Sequence, residues 1–478
     1  MLNNKQLEFL ITLKEHHLIE YLKNRSFEEL SAITTDIKAC TLPINGLSNQ
    51  QREKYLTTLS YVEAQLNAIA QSQNRDDDFE FIDTSQFNPM TSTELIKILG
   101  LTIKRDEINK LITFMTCISA FTEDSQLNMS FNAPSSSGKS YIPIEIATLF
   151  PSEDVIEVGY CSPTAFFHSY GAFDKEKQGY IVDLSRKILI FLDQPHQQLL
   201  AHLRPILSHD KKEMVIKITD KTQKFGLKTK NIYIIGYPSV VFCTAGLKID
   251  EQEATRLLLL SPEISQEKIR DAVMEKIRRE SDKRSYYEAL YENPERTLLK
   301  LRIKAIKREA VSDIVIKNHE LVEQMFFKRI NKLKPKHQRD MGRIINLAKL
   351  FALLNLWHRD RDNDTIFVSD EDIKEAFSVW DTIAPSQELN LPPYVYNLYE
   401  DIIVGAYKEK NDDAGTVGID SEGLTKAEIQ KKNYDVQGRF LPDWQLRQQI
   451  LPMLETAGLI RIESDPKDRR KILIYPII

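Results

Sequence analysis

Ala133-Pro134-Ser135-Ser136-Ser137-Gly138-Lys139-Ser140 is the stretch on which the reading of this chain turns. It follows a strand-like run, Met129-Ser130-Phe131-Asn132, and opens a helix. The pattern is G-x-x-x-x-G-K-[ST] with Ala133 in the place of the first glycine. In such a loop the backbone N–H groups and the helix N-terminus surround phosphates. Lys139 would reach the β- and γ-phosphates, and the Ser140 hydroxyl would bind Mg²⁺. Residues 133–140 are therefore read as contacts to ATP or a close relative. The alternative is a chance turn of small residues, and the strand before and helix after weigh against it.

A second element ends 54 residues beyond Lys139, at Asp193. Lys187-Ile188-Leu189-Ile190-Phe191-Leu192-Asp193 reads as a buried strand ending in a carboxylate, the Walker B arrangement, with Asp193 helping to hold Mg²⁺ directly or through water. A core strand that happens to end in Asp is the other reading. Gln194 follows, where many such ATPases carry a glutamate that activates water. A glutamine orients water but is a poor proton acceptor, so slow hydrolysis is expected unless another group serves. His196, His209 and Asp210 are near in sequence, and a solvated or structural role is expected for each.

Around these motifs, residues from about 93 to 265 alternate helical segments with short apolar strands, which implies an α/β fold with a parallel sheet and helices on both faces; with the charged extension that follows, the ATPase core is read as 93–310. Candidate strands are Asn128–Asn132, Val155–Gly159, Ile188–Leu192, Glu213–Thr219, Asn231–Ile235 and Ser239–Cys243. The charged end of this region, 264–310, reads as helical. Residues 1–92 read as a polar helical accessory region, 311–389 as a helical lid, and 390–478 as a compact terminal module.

Composition narrows the class. Among 478 residues, Lys and Arg number 64 against 69 Asp and Glu, a net charge of −5. Any basic surface for nucleic acid must therefore be local. Cys40, Cys117, Cys161 and Cys243 show no C-x-x-C spacing, which argues against a disulfide framework or zinc site and fits a reducing cytoplasm. The N-terminal apolar run is too short for a signal peptide, and no stretch approaches the ~18 apolar residues of a membrane span.

The order of motifs resembles the AAA+ superfamily, and within it the MCM-like replicative helicases, including compact versions on phages and other mobile elements. The resemblance covers roughly 93–478. It implies that Thr244, ending Val240-Val241-Phe242-Cys243-Thr244, is the sensor 1 residue, where the family usually has Asn. Glu213–Ile235 resembles the pre-sensor 1 hairpin, which would carry Lys221, Lys224, Lys228 and Lys230 towards a DNA backbone; a solvated hairpin is the alternative. Ala254-Thr255-Arg256 resembles the arginine-finger segment, matched at the arginine and its polar neighbour only, and a surface arginine is the alternative. Arg339, in Arg339-Asp340-Met341-Gly342-Arg343, falls on the sensor 2 arginine. Ser369 reads as an N-cap with Asp372 in the capping-box position.

The terminal module, two helices and a basic hairpin at Asp465-Pro466-Lys467-Asp468-Arg469-Arg470, resembles a winged helix. Arg469 and Arg470 would touch DNA; protein docking is the other reading. The resemblance thus implies an ATP- and Mg²⁺-dependent homo-hexameric DNA helicase with single-stranded DNA in a central channel, and primase or other replication proteins as separate chains. The competing reading is a nucleotide-switched DNA-binding or loader protein that recruits partners. A metabolic kinase leaves the hairpin and terminal module without a purpose.

Overall fold

A computed structural model describes residues 82–159, 161–162, 166, 171–177, 179–195, 197–220, 228–246, 255–330, 332–412, 422–466, 468 and 471–477. The chain forms two compact units, Met1–Asp83 and Thr84–Ile478; the elements below belong to the second. The helical reading of 1–92 falls largely outside the described residues, as do Lys221, Lys224, Arg469 and Arg470.

The centre is a five-stranded sheet of β1 (Asn128–Asn132), β2 (Val155–Val158), β5 (Ile188–Phe191), β8 (Ser239–Thr244) and β9 (Leu258–Leu260). Its order is β2-β5-β8-β1-β9, and every pairing is parallel. Parallel strands are covered on both faces, so they read as continuous apolar runs. In β5, Ile188 and Ile190 enter one core while Leu189 and Phe191 enter the other. β8 divides in the same way, with Val241 and Cys243 opposite Val240 and Phe242. Each such side chain contributes roughly 1.5–3 kcal/mol by burial.

β1 breaks the apolar rule at Asn128, Ser130 and Asn132, all buried. Burying an amide is tolerable only with partners. Asn128 donates to the Leu207 carbonyl at 3.2 Å and accepts from the Val240 N–H at 3.1 Å. Asn132 donates to the Gly246 carbonyl at 3.1 Å. The strand thereby fastens the loops at both of its ends.

One face is covered by α1 (Ser92–Leu99), α2 (Glu107–Ser119) and α3 (Tyr141–Ala147). Thr91 and Glu94 close a capping box that starts α1. α2 is buried at every position from Asn109 to Ser119, as expected of a helix enclosed by its neighbours. The other face is covered by α4 (Gln197–Leu207) and by a second sheet. That sheet holds β3 (Ala172–Asp174), β4 (Gly179–Asp183), β6 (Glu213–Asp220) and β7 (Lys228–Ile235) in the order β3-β4-β7-β6. Two of the six strands read from sequence thus leave the central sheet as the hairpin β6–β7. β9, hidden in sequence as a short apolar triplet, takes the edge position beside β1.

Beyond β9 come α5 (Gln266–Ser281), α6 (Lys283–Glu292) and α7 (Pro294–Glu309). The next region contains α8 (His319–Phe327), α9 (His337–Leu354) and α10 (Asp370–Glu388) beside a small sheet of β10 (Asp313–Ile316), β11 (Arg361–Asp362) and β12 (Thr365–Val368). Ser369 caps α10, and Asp372 reaches back to complete the box while holding Arg359 through two contacts of 2.6 Å.

The terminal module has its own core. It consists of a helical run over 393–412 (α11), α12 (Lys426–Gln437), a helical run over 443–456 (α13), and the antiparallel hairpin β13 (Ile460–Ser464) and β14 (Ile472–Pro476). Leu424 bridges to Ile474 on the hairpin's free edge. Gly438 ends α12 in the left-handed region, φ +65°, where glycine has no Cβ penalty.

Candidate functional site

β5, β8 and β1 are neighbours, so the loops that follow them meet at the carboxyl edge of the sheet, where ligands of open α/β sheets bind. The loop after β1 is Ala133–Ser140. Gly138 has φ +89° with nothing within 4 Å of a would-be Cβ, so glycine is needed for conformation rather than space. Ser136 is also left-handed, at φ +63°. The Gly138 carbonyl accepts from the Tyr141 and Ile142 N–H groups at 3.1 and 3.4 Å, which starts α3. Ser140 occupies the N-cap, yet its hydroxyl makes no capping bond.

The loops after β5 and β8 are joined to the first. The Ala133 N–H donates to the Thr244 carbonyl at 3.4 Å. The Thr244 hydroxyl accepts from the Gly246 N–H at 3.0 Å and donates to Oε1 of Gln194 at 3.3 Å. The Gln194 N–H in turn donates to the Asp193 carboxylate at 2.8 Å. Cys243 donates to the Lys139 carbonyl at 3.5 Å, and burial pushes its thiol up to about 12. Asp193 and Gln194 are exposed. Two buried oxygens beside the loop, Asn132 Oδ1 and Ser137 Oγ, have no hydrogen-bond partner. Buried polar atoms in native proteins are nearly always paired, so this set fits a ligand that supplies donors or a cation.

Arg256 and Arg339 lie elsewhere. Both line a cavity of about 360 Å³ shared with Asn128, Ser208, His209 and Arg343. Asn128 opens β1, whereas the loop 133–140 follows Asn132; four steps of a strand separate the two ends by about 13 Å. The cavity holding these arginines thus lies towards the opposite end of β1 from the loop 133–140.

Within the cavity, Arg256 donates to the Ser208 hydroxyl at 2.6 Å. Arg343 was not singled out by sequence. Its guanidinium donates to the Thr255 and Leu257 carbonyls at 2.9 and 3.0 Å, on either side of Arg256, and pairs with Asp340 at 3.3 Å. Burial lowers its pKa. The signal available was spacing: Arg339 and Arg343, four apart on α9, share one helix face. His209 sits at φ +54° against Tyr237, ring centroids 4.6 Å apart, and burial lowers its pKa.

Of the hairpin lysines, Lys228 pairs with Asp220 through the backbone, and Lys230 lies opposite Ile218 with its Nζ 5.8 Å from the Tyr180 ring. Lys230 thus belongs to the body of the strand. In the terminal hairpin, the Asp465 N–H donates to the Lys471 carbonyl at 3.0 Å, and the Lys471 N–H to Asp468 at 2.8 Å.

Arg439 also escaped the sequence reading. It donates to the Ser135 carbonyl at 3.2 Å, across 304 residues of chain, and no local pattern marks such a contact.

Among the described residues no helix is long and apolar enough to cross a membrane, and no cluster of three or more His, Cys, Asp or Glu is placed to hold a metal. No protein-family model and no curated protein matches the chain. Among solved structures it is similar to an MCM homolog from Methanopyrus kandleri, with 14% identity, TM-score 0.39, and 64% of each chain covered. It thus spans 64% of that protein's length. It is also similar to a candidate ATPase from Cytophaga hutchinsonii, with 13% identity, TM-score 0.31, and 60% of this chain and 84% of that one covered. An inhibitor-bound JCV helicase gives 10% identity and TM-score 0.28 over 70% and 97%. At these scores the functional reading stands on the chain's own residues.

Proposed function

We propose that the chain is an ATPase of the AAA+ type that assembles head to tail into a ring, hydrolyses ATP between neighbouring subunits and moves along DNA as a helicase, in the replication of a phage or other mobile element. The observation that carries this reading is the separation of the phosphate loop from Arg256 and Arg339 by the length of β1. A loop at one end and an arginine cavity at the other are half-sites, and each is completed by a second copy. A contact between two different faces of one molecule is heterologous, and when the rotation closes it builds a ring. The six-membered ring follows the resemblance to MCM-like helicases.

In this site Ala133–Ser140 cradle the phosphates through their N–H groups, and Lys139 neutralises the β- and γ-phosphates. Ser140 and Asp193 would hold Mg²⁺, which would supply positive charge against the phosphates. Thr244 and Gln194 hold the attacking water. Arg256 and Arg339 of the adjoining copy stabilise charge in the transition state. Residues 93–310 form the ATPase core, 311–389 the lid and 390–478 a winged helix. Lys221, Lys224, Lys228 and Lys230 face DNA in the channel, and Arg469 and Arg470 reach duplex.

Strand displacement on a forked duplex tests the reading. The expected result is ATP-dependent unwinding that Lys139→Ala abolishes. An assembly that turns over ATP but displaces no strand, with Lys224→Ala leaving DNA-stimulated hydrolysis intact, rejects it.

Gln194 favours a second reading, a nucleotide-switched loader that binds DNA and recruits partners. Tight ATP binding with almost no turnover is its signature.

A further inference from the structure

Arg439 lies in the turn between α12 and α13, and that turn is held from both sides. The buried Asn433 side chain donates to the Arg439 carbonyl at 2.7 Å, and Gln430 donates to the Leu441 carbonyl at 2.8 Å. From the core, Gln266 at the start of α5 donates to the Gln437 carbonyl at 2.9 Å. A Cβ at Gly438 would meet the same amide at 2.8 Å. A second latch starts the module: Ser261 donates to the Asn132 carbonyl at 2.7 Å and accepts from the Tyr394 N–H at 3.0 Å. The turn and the phosphate loop are therefore fixed relative to one another.

Arg439 is half-buried and, among the described residues, has no carboxylate partner. Its nearest polar contact is the Ser135 carbonyl. A guanidinium offers five donors in a planar fork suited to phosphate, and here a single neutral acceptor occupies it. A cation at the rim of the loop 133–140, bonded there to one neutral carbonyl, is placed to receive an anion.

We propose that Arg439 is a phosphate ligand of the bound nucleoside triphosphate, supplied in cis by the terminal module, so that nucleotide clamps this module onto the core. The inference rests on the nucleotide site proposed above. The guanidinium turns from the Ser135 carbonyl to a phosphate oxygen, a charge-assisted bond stronger than the one it leaves. Coupling is reciprocal, so whatever nucleotide gains from a docked module, docking gains from nucleotide.

The test uses the full chain, with a fluorescent ATP analogue titrated against wild type, Arg439→Ala, Arg439→Lys and Lys139→Ala, and hydrogen exchange followed at 437–442. The expected result is a loss of about tenfold in ATP affinity for Arg439→Ala and a smaller loss for Arg439→Lys. ATP should slow exchange at 437–442 in wild type but not in Arg439→Ala, with melting temperatures without nucleotide alike. Wild-type affinity in Arg439→Ala while Lys139→Ala no longer binds overturns the proposal and leaves the nucleotide site standing. A lower melting temperature in Arg439→Ala with unchanged affinity marks the contact as merely structural and also overturns it. No ATP binding by wild type removes the nucleotide site, and the proposal with it.

Discussion

The hydroxyl of Thr244 donates to Oε1 of Gln194 across 3.3 Å, joining the carboxyl end of β8 to that of β5. Both side chains are neutral, so the pair can hold a water but takes a proton from it poorly. Gln194→Glu should therefore raise the rate of phosphate release, on the order of 10²-fold if general-base action is what the site lacks. Thr244→Ala should lower it. An unchanged rate in Gln194→Glu means that another group already serves as the base.

Arg343 fixes the backbone on both sides of Arg256. Each of its bonds to a carbonyl is a hydrogen bond from a charged donor, worth roughly 1.5–3 kcal/mol. Arg343→Ala is expected to lower the melting temperature and to depress hydrolysis by the assembled protein about as much as Arg256→Ala does, with nucleotide affinity unchanged. Lysine cannot span both carbonyls and should rescue little. Mixing Arg343→Ala with Lys139→Ala subunits should restore part of the turnover, because some seams then pair an intact loop with an intact arginine cavity. No recovery on mixing counts against shared sites.

His209 predicts an acid limb in stability. Burial lowers its pKa below the ordinary value, which is about 6.5, so folding favours the neutral ring. That contribution is fully present above the unfolded value and is lost as pH falls through the folded one. Melting temperatures measured from pH 7.5 down to 5 should fall less steeply for His209→Gln than for wild type. Parallel curves remove His209 from the account.

The cysteines should differ sharply in reactivity. Cys117 and Cys243 are fully buried, and burial pushes both thiols up, Cys243 to about 12. Cys161 is half-buried. Under native conditions iodoacetamide should label Cys161 well before the other two, because the thiolate is the nucleophile. Peptide mapping by mass spectrometry reads the order, and early labelling of Cys243 contradicts the packing around Lys139.

The sequence was most legible where chemistry is local. The small-residue loop before Lys139, the apolar run into Asp193 and the Ser369 cap each lie within a few residues, and the corresponding strand, loop and helix starts stand where those residues put them. The parallel sheet followed from the alternation of strands and helices. β9 was missed because three leucines carry no period. β3 and β4 were missed because short strands with half-exposed faces resemble loops in composition. Arg343 and Arg439 act on backbone carbonyls from distant parts of the chain, and a carbonyl has no side-chain identity for a pattern to catch.

β1 has a mechanical consequence. It is hydrogen-bonded to β8 and β9 on its two sides. Its last residue abuts the loop proposed to bind nucleotide, and its first helps to wall the cavity proposed to serve the next copy. In the proposed ring this one strand runs from one seam of a subunit towards the next, so the two seams share a single hydrogen-bonded element.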